Sequence, residues 1–221
     1  MPCPGAGTAA PARLDPEQAL AHLRAADPVL ARLIKLDGGP SFERDSGRDA
    51  GDHYAALVRT IVGQQLSTTV ARVIWGRLVE RYGGIAPTPQ QVLDDDPEEL
   101  RAAAGLSRAK VSFLRSLAEH VTSGELDLEH VSTLSDEELI EELTAVKGIG
   151  EWSAHMFLMF QLERPDVLAT GDLGVRRAVE RAYGLEELPS AADLVAMAEP
   201  WRPFRSAACR VLWWSLDNQP G

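Results

Sequence analysis

The residues best placed to do chemistry lie between Leu143 and Gly174. Lys147-Gly148-Ile149-Gly150 separates two helical stretches. A tight Gly-x-Gly turn there bares the amides that open the second helix, and such amides hold a phosphate without any basic side chain. About one helix length later, Thr170-Gly171-Asp172-Leu173-Gly174 sets a single carboxylate in a short loop ahead of another helix. Together they make a grip for a nucleic-acid backbone coupled to a reactive acid. Each half also has a plainer reading. Glycine ends many helices, and an Asp after Gly commonly caps or turns the chain, a role compatible with chemistry. The spacing is not that of a Walker A loop, and no strand precedes it as a dinucleotide fingerprint requires.

Nearly every other segment reads as a helix that must position these groups. Apolar residues recur at helical spacing over Pro16 to Leu36, broken at Asp27-Pro28, and over Tyr54 to Tyr82, where Leu57, Val58, Ile61 and Val62 precede Val70, Val73, Ile74 and Leu78. The break at Gly63-Gln64-Gln65-Leu66-Ser67 lets Ser67 cap the next helix. Thr88-Pro89, Asp96-Pro97, Ser107, Ser135 with Glu138, and Ser190 with Asp193 mark further starts. No strand-period run of useful length occurs. The expected fold is all-α.

Composition narrows the functions. With 45% hydrophobic and 25% charged residues, the 221-residue chain has the balance of a globular protein. No apolar run approaches the roughly 20 residues that span a bilayer. Met1 to Ala12 lacks the basic start and apolar stretch of a signal peptide, so residues 1–13 read as a disordered tail and the protein as cytoplasmic. Two cysteines, Cys3 and Cys209, exclude an ordinary four-thiolate iron–sulfur cluster. The five histidines lack zinc-site spacing. No side-chain metal site is expected; a cation bound by the hairpin carbonyls is left open. The net charge of −11 opposes general electrostatic DNA binding. Mapped along the chain, acids gather at Asp94 to Glu99 and Asp136 to Glu142. Arg176, Arg177, Arg181, Arg202, Arg205 and Arg210 allow a mildly basic face, although the plainer reading, that these charges solvate helix exteriors, holds for most of them.

The hairpin, the Val167 to Arg177 segment and the terminal Trp201-to-Trp214 stretch together resemble the helix-hairpin-helix DNA glycosylases. In detail they resemble the bacterial 3-methyladenine DNA glycosylase II (AlkA-type) branch, and the likeness runs from about Leu14 to Trp214. It implies two helical lobes with the active-site cleft between them, one lobe from about 14–55 and 172–221, the other from about 56–171. It also implies a monomer that excises alkylated bases, such as 3-methyladenine or 7-methylguanine, from double-stranded DNA.

By that resemblance Asp172 is the catalytic carboxylate, and Lys147, Gly148, Ile149 and Gly150 grip the DNA backbone. Trp213, Trp152 and Met156 form the base pocket. Gln65, with Leu66 as the alternative, enters the duplex where the base leaves. Relatives with lyase activity carry a lysine nucleophile two residues after the hairpin's last glycine, where this chain has Trp152. The resemblance therefore implies a monofunctional enzyme that uses water and leaves an abasic site. Two other readings stand beside it: an oxidised-base glycosylase/lyase, and a non-catalytic helix-hairpin-helix DNA-binding module.

Overall fold

The computed structural model describes residues 13–36, 39–42 and 52–218. The tail expected over 1–13 lies, apart from Arg13, outside them. Among the described residues, twelve α-helices and one short 3-10 turn make up the regular structure, with no strand. These residues fall into two compact units, one within Ser46–Phe157 and the other within Ala12–Asp45 and Leu158–Gly221.

The first unit holds α3 (His53–Gly63), α4 (Thr68–Arg81), α5 (Pro89–Asp94), α6 (Pro97–Ala104), α7 (Arg108–Ser123), α8 (Asp136–Ala145) and most of α9 (Glu151–Phe160). Local chemistry sets their starts. Ser67, Thr88, Asp96, Ser107 and Ser135 each accept a backbone amide from the first turn of the helix they precede, and Thr88 and Ser135 complete capping boxes with Gln91 and Glu138. α7 is the central element, packed by α3, α5 and α6. It buries Val111, Leu114 and Leu117, and α3 buries Leu57, Val58, Ile61 and Val62. Val70 and Val73 keep the spacing of a core face but are 45% and 50% exposed, and α4 buries only Leu78. A periodic pattern shows that a helix has an apolar side; nothing in it shows what covers that side.

The second unit holds α1 (Pro16–Ala26), α2 (Pro28–Ile34), the end of α9, α10 (Leu173–Tyr183), α11 (Ala191–Met197), the 3-10 turn Glu199–Trp201 and α12 (Arg205–Asp217). α12 is packed by α1, α2 and α10, and buries Ala208, Cys209 and Leu212 completely. Asp27, at the break between α1 and α2, caps α2 through the amides of Val29 and Leu30. It also accepts the indole N–H of Trp201 at 2.8 Å and the hydroxyl of Tyr183. Burial acts to raise the Asp27 pKa, but these donors outweigh it and hold the carboxyl below its ordinary value.

The units divide elsewhere than the expected limits near 55 and 171. The second boundary falls inside α9, after Phe157, so 158–171 joins the C-terminal elements. α12 is the physical reason. Ser206 Oγ donates to the Arg164 carbonyl at 2.7 Å and accepts the Val167 amide at 2.9 Å. Arg205 forks onto Asp166 at 2.7 and 3.0 Å. The segment leading to Asp172 is thereby fixed to the helix that carries Trp213.

Candidate functional site

The hairpin runs from α8 through Val146 to Gly150 into α9, and its shape is imposed by α7. Gly148 has φ +89°, a left-handed conformation that favours glycine. A β-carbon there would fall 2.1 Å from Phe113 Cγ. The Lys147 amide donates to Ser116 Oγ at 3.2 Å, and Ile149 is buried as the anchor. Gly150, by contrast, is exposed and has open space where a β-carbon would stand. Those are the properties required of an amide-bearing turn that a phosphate must approach closely.

The loop between α3 and α4 is tied to this turn by a residue the sequence did not single out. Gln64 Nε2 donates to the Gly148 carbonyl at 2.8 Å and to Ser153 Oγ at 3.3 Å. Lys110 Nζ donates to the Val62 carbonyl at the end of α3 at 2.7 Å. Gln65 then takes φ +58°, unusual for a side chain with a β-carbon, and both Gln65 and Leu66 are exposed. Gln64 holds the loop down while its two neighbours face solvent. Trp152, in the first turn of α9, is 44% exposed, and Met156 one turn later is half-buried.

Three hairpin carbonyls accept one hydrogen bond each and keep a second lone pair. Val146 takes the Ile149 amide, Gly148 takes Gln64, and Gly150 takes the Ala154 amide. No cluster of His, Cys, Asp and Glu able to ligate a metal occurs among the described residues.

In the second unit Asp172 is the N-cap of α10. Its Oδ1 accepts the Val175 amide at 2.7 Å and the Trp213 indole N–H at 2.8 Å. Gly174 makes that meeting feasible, since a β-carbon there would stand 2.9 Å from Oδ1 and 3.1 Å from Trp213 Cδ1 and Nε1. Trp213 stacks on Phe160, with centroids 6.0 Å apart and planes inclined by 27°. The Arg210 guanidinium lies over the rings of Phe42 and Phe160, at 4.6 and 5.3 Å, and donates to the Ser41 carbonyl. The result is a layered wall, Phe42–Arg210–Phe160–Trp213, ending at the carboxylate. Of these, sequence reasoning identified Trp213 and Asp172. Phe160 and Phe42 were missed because no motif links residues so far apart. Burial pushes the Cys209 thiol up to about 12, so it is not a competing nucleophile at neutral pH.

The basic face expected in this unit is largely consumed internally. Arg202 and Arg205 both pair with Asp166, Arg176 donates to the Pro189 carbonyl, and Arg210 is held in the aromatic wall. No helix among the described residues is long and apolar enough to cross a membrane.

An amide-bearing hairpin and a capped, indole-bound carboxylate thus occur in one chain. A family model described as "HhH-GPD superfamily base excision DNA repair protein" matches residues 58–203. The chain belongs to the HhH-GPD superfamily. DNA-3-methyladenine glycosylase 1 of Schizosaccharomyces pombe is 36% identical over 194 residues, covering 87% of this chain and 84% of that protein. Among solved structures, a Schizosaccharomyces pombe 3-methyladenine DNA glycosylase in complex with abasic DNA matches with a TM-score of 0.81 and 35% identity. It covers 90% of this chain and 97% of its own. A DNA-3-methyladenine glycosidase from Bacillus halodurans gives a TM-score of 0.75 at 36% identity, over 89% of this chain and 88% of that one. The all-α architecture is therefore that of HhH-GPD glycosylases.

Proposed function

We propose that this HhH-GPD protein is a monofunctional DNA glycosylase. It extrudes an alkylated base from duplex DNA, hydrolyses its N-glycosidic bond and leaves an abasic site, acting as a monomer in the cytoplasm. The observation that carries the reading is the Asp172–Trp213 pair. Cleavage leaves positive charge on the sugar, and a fixed carboxylate stabilises it. The same carboxylate orients the attacking water and takes its proton as oxygen bonds to the sugar carbon and the base departs with the bonding pair. The hairpin amides and Gly150 hold the strand. Gln65, or Leu66 in its place, fills the gap left in the stack. Trp152 and Met156 are the residues of the first unit proposed to contact the base. The hydrolysis needs no cofactor.

Alkylation at N3 or N7 makes a purine cationic, and an indole face attracts such a ring by roughly 0.5–2 kcal/mol. Because one Trp213 face meets Phe160, the extruded base uses the other. The test is release of free 3-methyladenine and 7-methylguanine from methylated duplex, with the strand intact until alkali is added. Strand scission at neutral pH, or a borohydride-trapped covalent adduct, would favour a lyase. Binding without release would favour a plain DNA-binding module.

The indole N–H is separable from the ring. Trp213→Phe keeps an aromatic face but removes the donor to Asp172. A hydrogen bond to a charged group is worth about 1.5–3 kcal/mol, so single-turnover excision should fall about tenfold or more while damaged-DNA affinity changes little. Trp214→Ala should mainly lower the melting temperature. If Trp214→Ala abolished excision and Trp213→Phe left it intact, the roles of the two tryptophans would be exchanged.

A further inference from the structure

The first unit contains a cationic cavity that the hairpin does not account for. It has a volume of about 470 Å³ and is lined by Arg101 of α6, Arg108 and Arg115 of α7, and Lys147 of the hairpin. Glu98 and Glu119 also border it. Four cations against two carboxylates is a local excess of positive charge in a chain of net charge −11. The stretch from Arg108 to Ser116 contains three basic residues and no acid.

Glu98 accepts from Arg101 Nε at 2.7 Å and from Arg108 Nε at 3.3 Å, and so holds the two guanidinium groups beside each other. Exposed pairs of this kind are weak, and the Arg108 side chain is 83% exposed. An anion with more charge-assisted acceptors can therefore recruit both groups. Arg115 is the fixed part of the wall, donating to the carbonyls of Val92, Leu93 and Asp95.

The cavity and the hairpin share α7. Ser112 and Ser116 line the cavity, while Ser116 also receives the Lys147 amide and Phe113 packs beneath Gly148. We propose that the cavity seats a phosphodiester of the same DNA strand that the hairpin grips, making a second phosphate site in the first unit. The inference rests on the DNA-glycosylase reading. From Ser116 to Arg108 α7 rises on the order of 12 Å. At that separation the second phosphate is a near neighbour of the hairpin-bound one on the same strand and distinct from it.

The experiment uses a short duplex containing one abasic-site analogue to fix the register. A single phosphate is replaced by an uncharged methylphosphonate at each position in turn. The unaltered protein should lose affinity several-fold at the hairpin-bound phosphate and again at a second, nearby position on the same strand. Arg108→Ala should erase the second effect alone, and the slope of log Kd against log salt should fall by about 0.9. Arg101→Gln should act in the same direction. An Arg108→Ala protein with unchanged affinity and salt slope would overturn the proposal, as would a methylphosphonate scan with one sensitive region only. Saturable binding of inorganic phosphate at Arg108, with no second sensitive position on DNA, would make the cavity a small-anion site and overturn it too. Base release by the unaltered protein is read separately. Release without a second phosphate site removes this inference only, and absence of release removes the reading beneath it.

Discussion

Asp172→Asn should yield a folded, DNA-binding protein that releases alkylated bases at least about 10²-fold more slowly, the scale on which a lost transition-state electrostatic contact is felt. The structure makes this substitution unusually clean. Asp172 caps α10 through Oδ1, which accepts from both the Val175 amide and the Trp213 indole. Asparagine retains an oxygen at that position and ranks with aspartate as an N-cap. Only the negative charge is lost. Asp172→Ala, by contrast, should lose about 1 kcal/mol of helix capping as well. Single-turnover base release and thermal melting measured on both variants separate the two roles. A folded Asp172→Asn protein with near-normal excision would remove Asp172 from the reaction.

Gly148→Ala and Gly150→Ala should fail in opposite ways. At Gly148 the substituent would occupy the left-handed region and collide with the Phe113 ring. The backbone strain is about 1–2 kcal/mol and overpacking adds about 1–3. Melting should therefore fall by roughly 5–15 °C for a chain of this size. Adding Phe113→Ala should recover the packing part and leave the backbone part. Gly150→Ala meets nothing in the protein, so it should melt normally. On the proposed grip its methyl group stands where the phosphate approaches, and binding to damaged and undamaged duplex should weaken about tenfold, the worth of one charge-assisted hydrogen bond. If Gly150→Ala impaired the binding of one lesion alone, the hairpin would belong to the base pocket rather than to the backbone grip.

The helix starts were legible because a cap is a bond between near neighbours in sequence. Ser67, Ser107, Ser135 with Glu138, and Ser190 with Asp193 all bond as their spacing indicates. Asp172 was legible as a cap, because the motif around it is local. Non-local chemistry was not. Asp27 read as a helix break, yet it is the buried acceptor for Tyr183 and Trp201. Gln64 read as part of a polar junction and proves to clamp the hairpin carbonyl. Phe160 carried no signal until the structure set it against Trp213. The C-terminal arginines looked like a basic surface because their partner, Asp166, lies 36 to 39 positions away. The unburied Val70 and Val73 show the same limit from the apolar side.

The dependence of the hairpin on α7 bears on whether this grip is portable. Its five-residue turn is compact enough to suggest a cassette that could be grafted between any two helices. Here, however, the conformation of Gly148 is backed by Phe113, its carbonyl is held by Gln64, and the Lys147 amide is satisfied by Ser116. None of these three supports lies within α8, the turn or α9. Both flanking helices have ten residues, a length at which isolated helices are marginal in water. A peptide spanning 136–160 would therefore carry the recognition sequence without the recognition shape. A transplant that works would have to bring α7 and the Gln64 loop with it, so the smallest transferable unit of this hairpin's shape is a four-part scaffold.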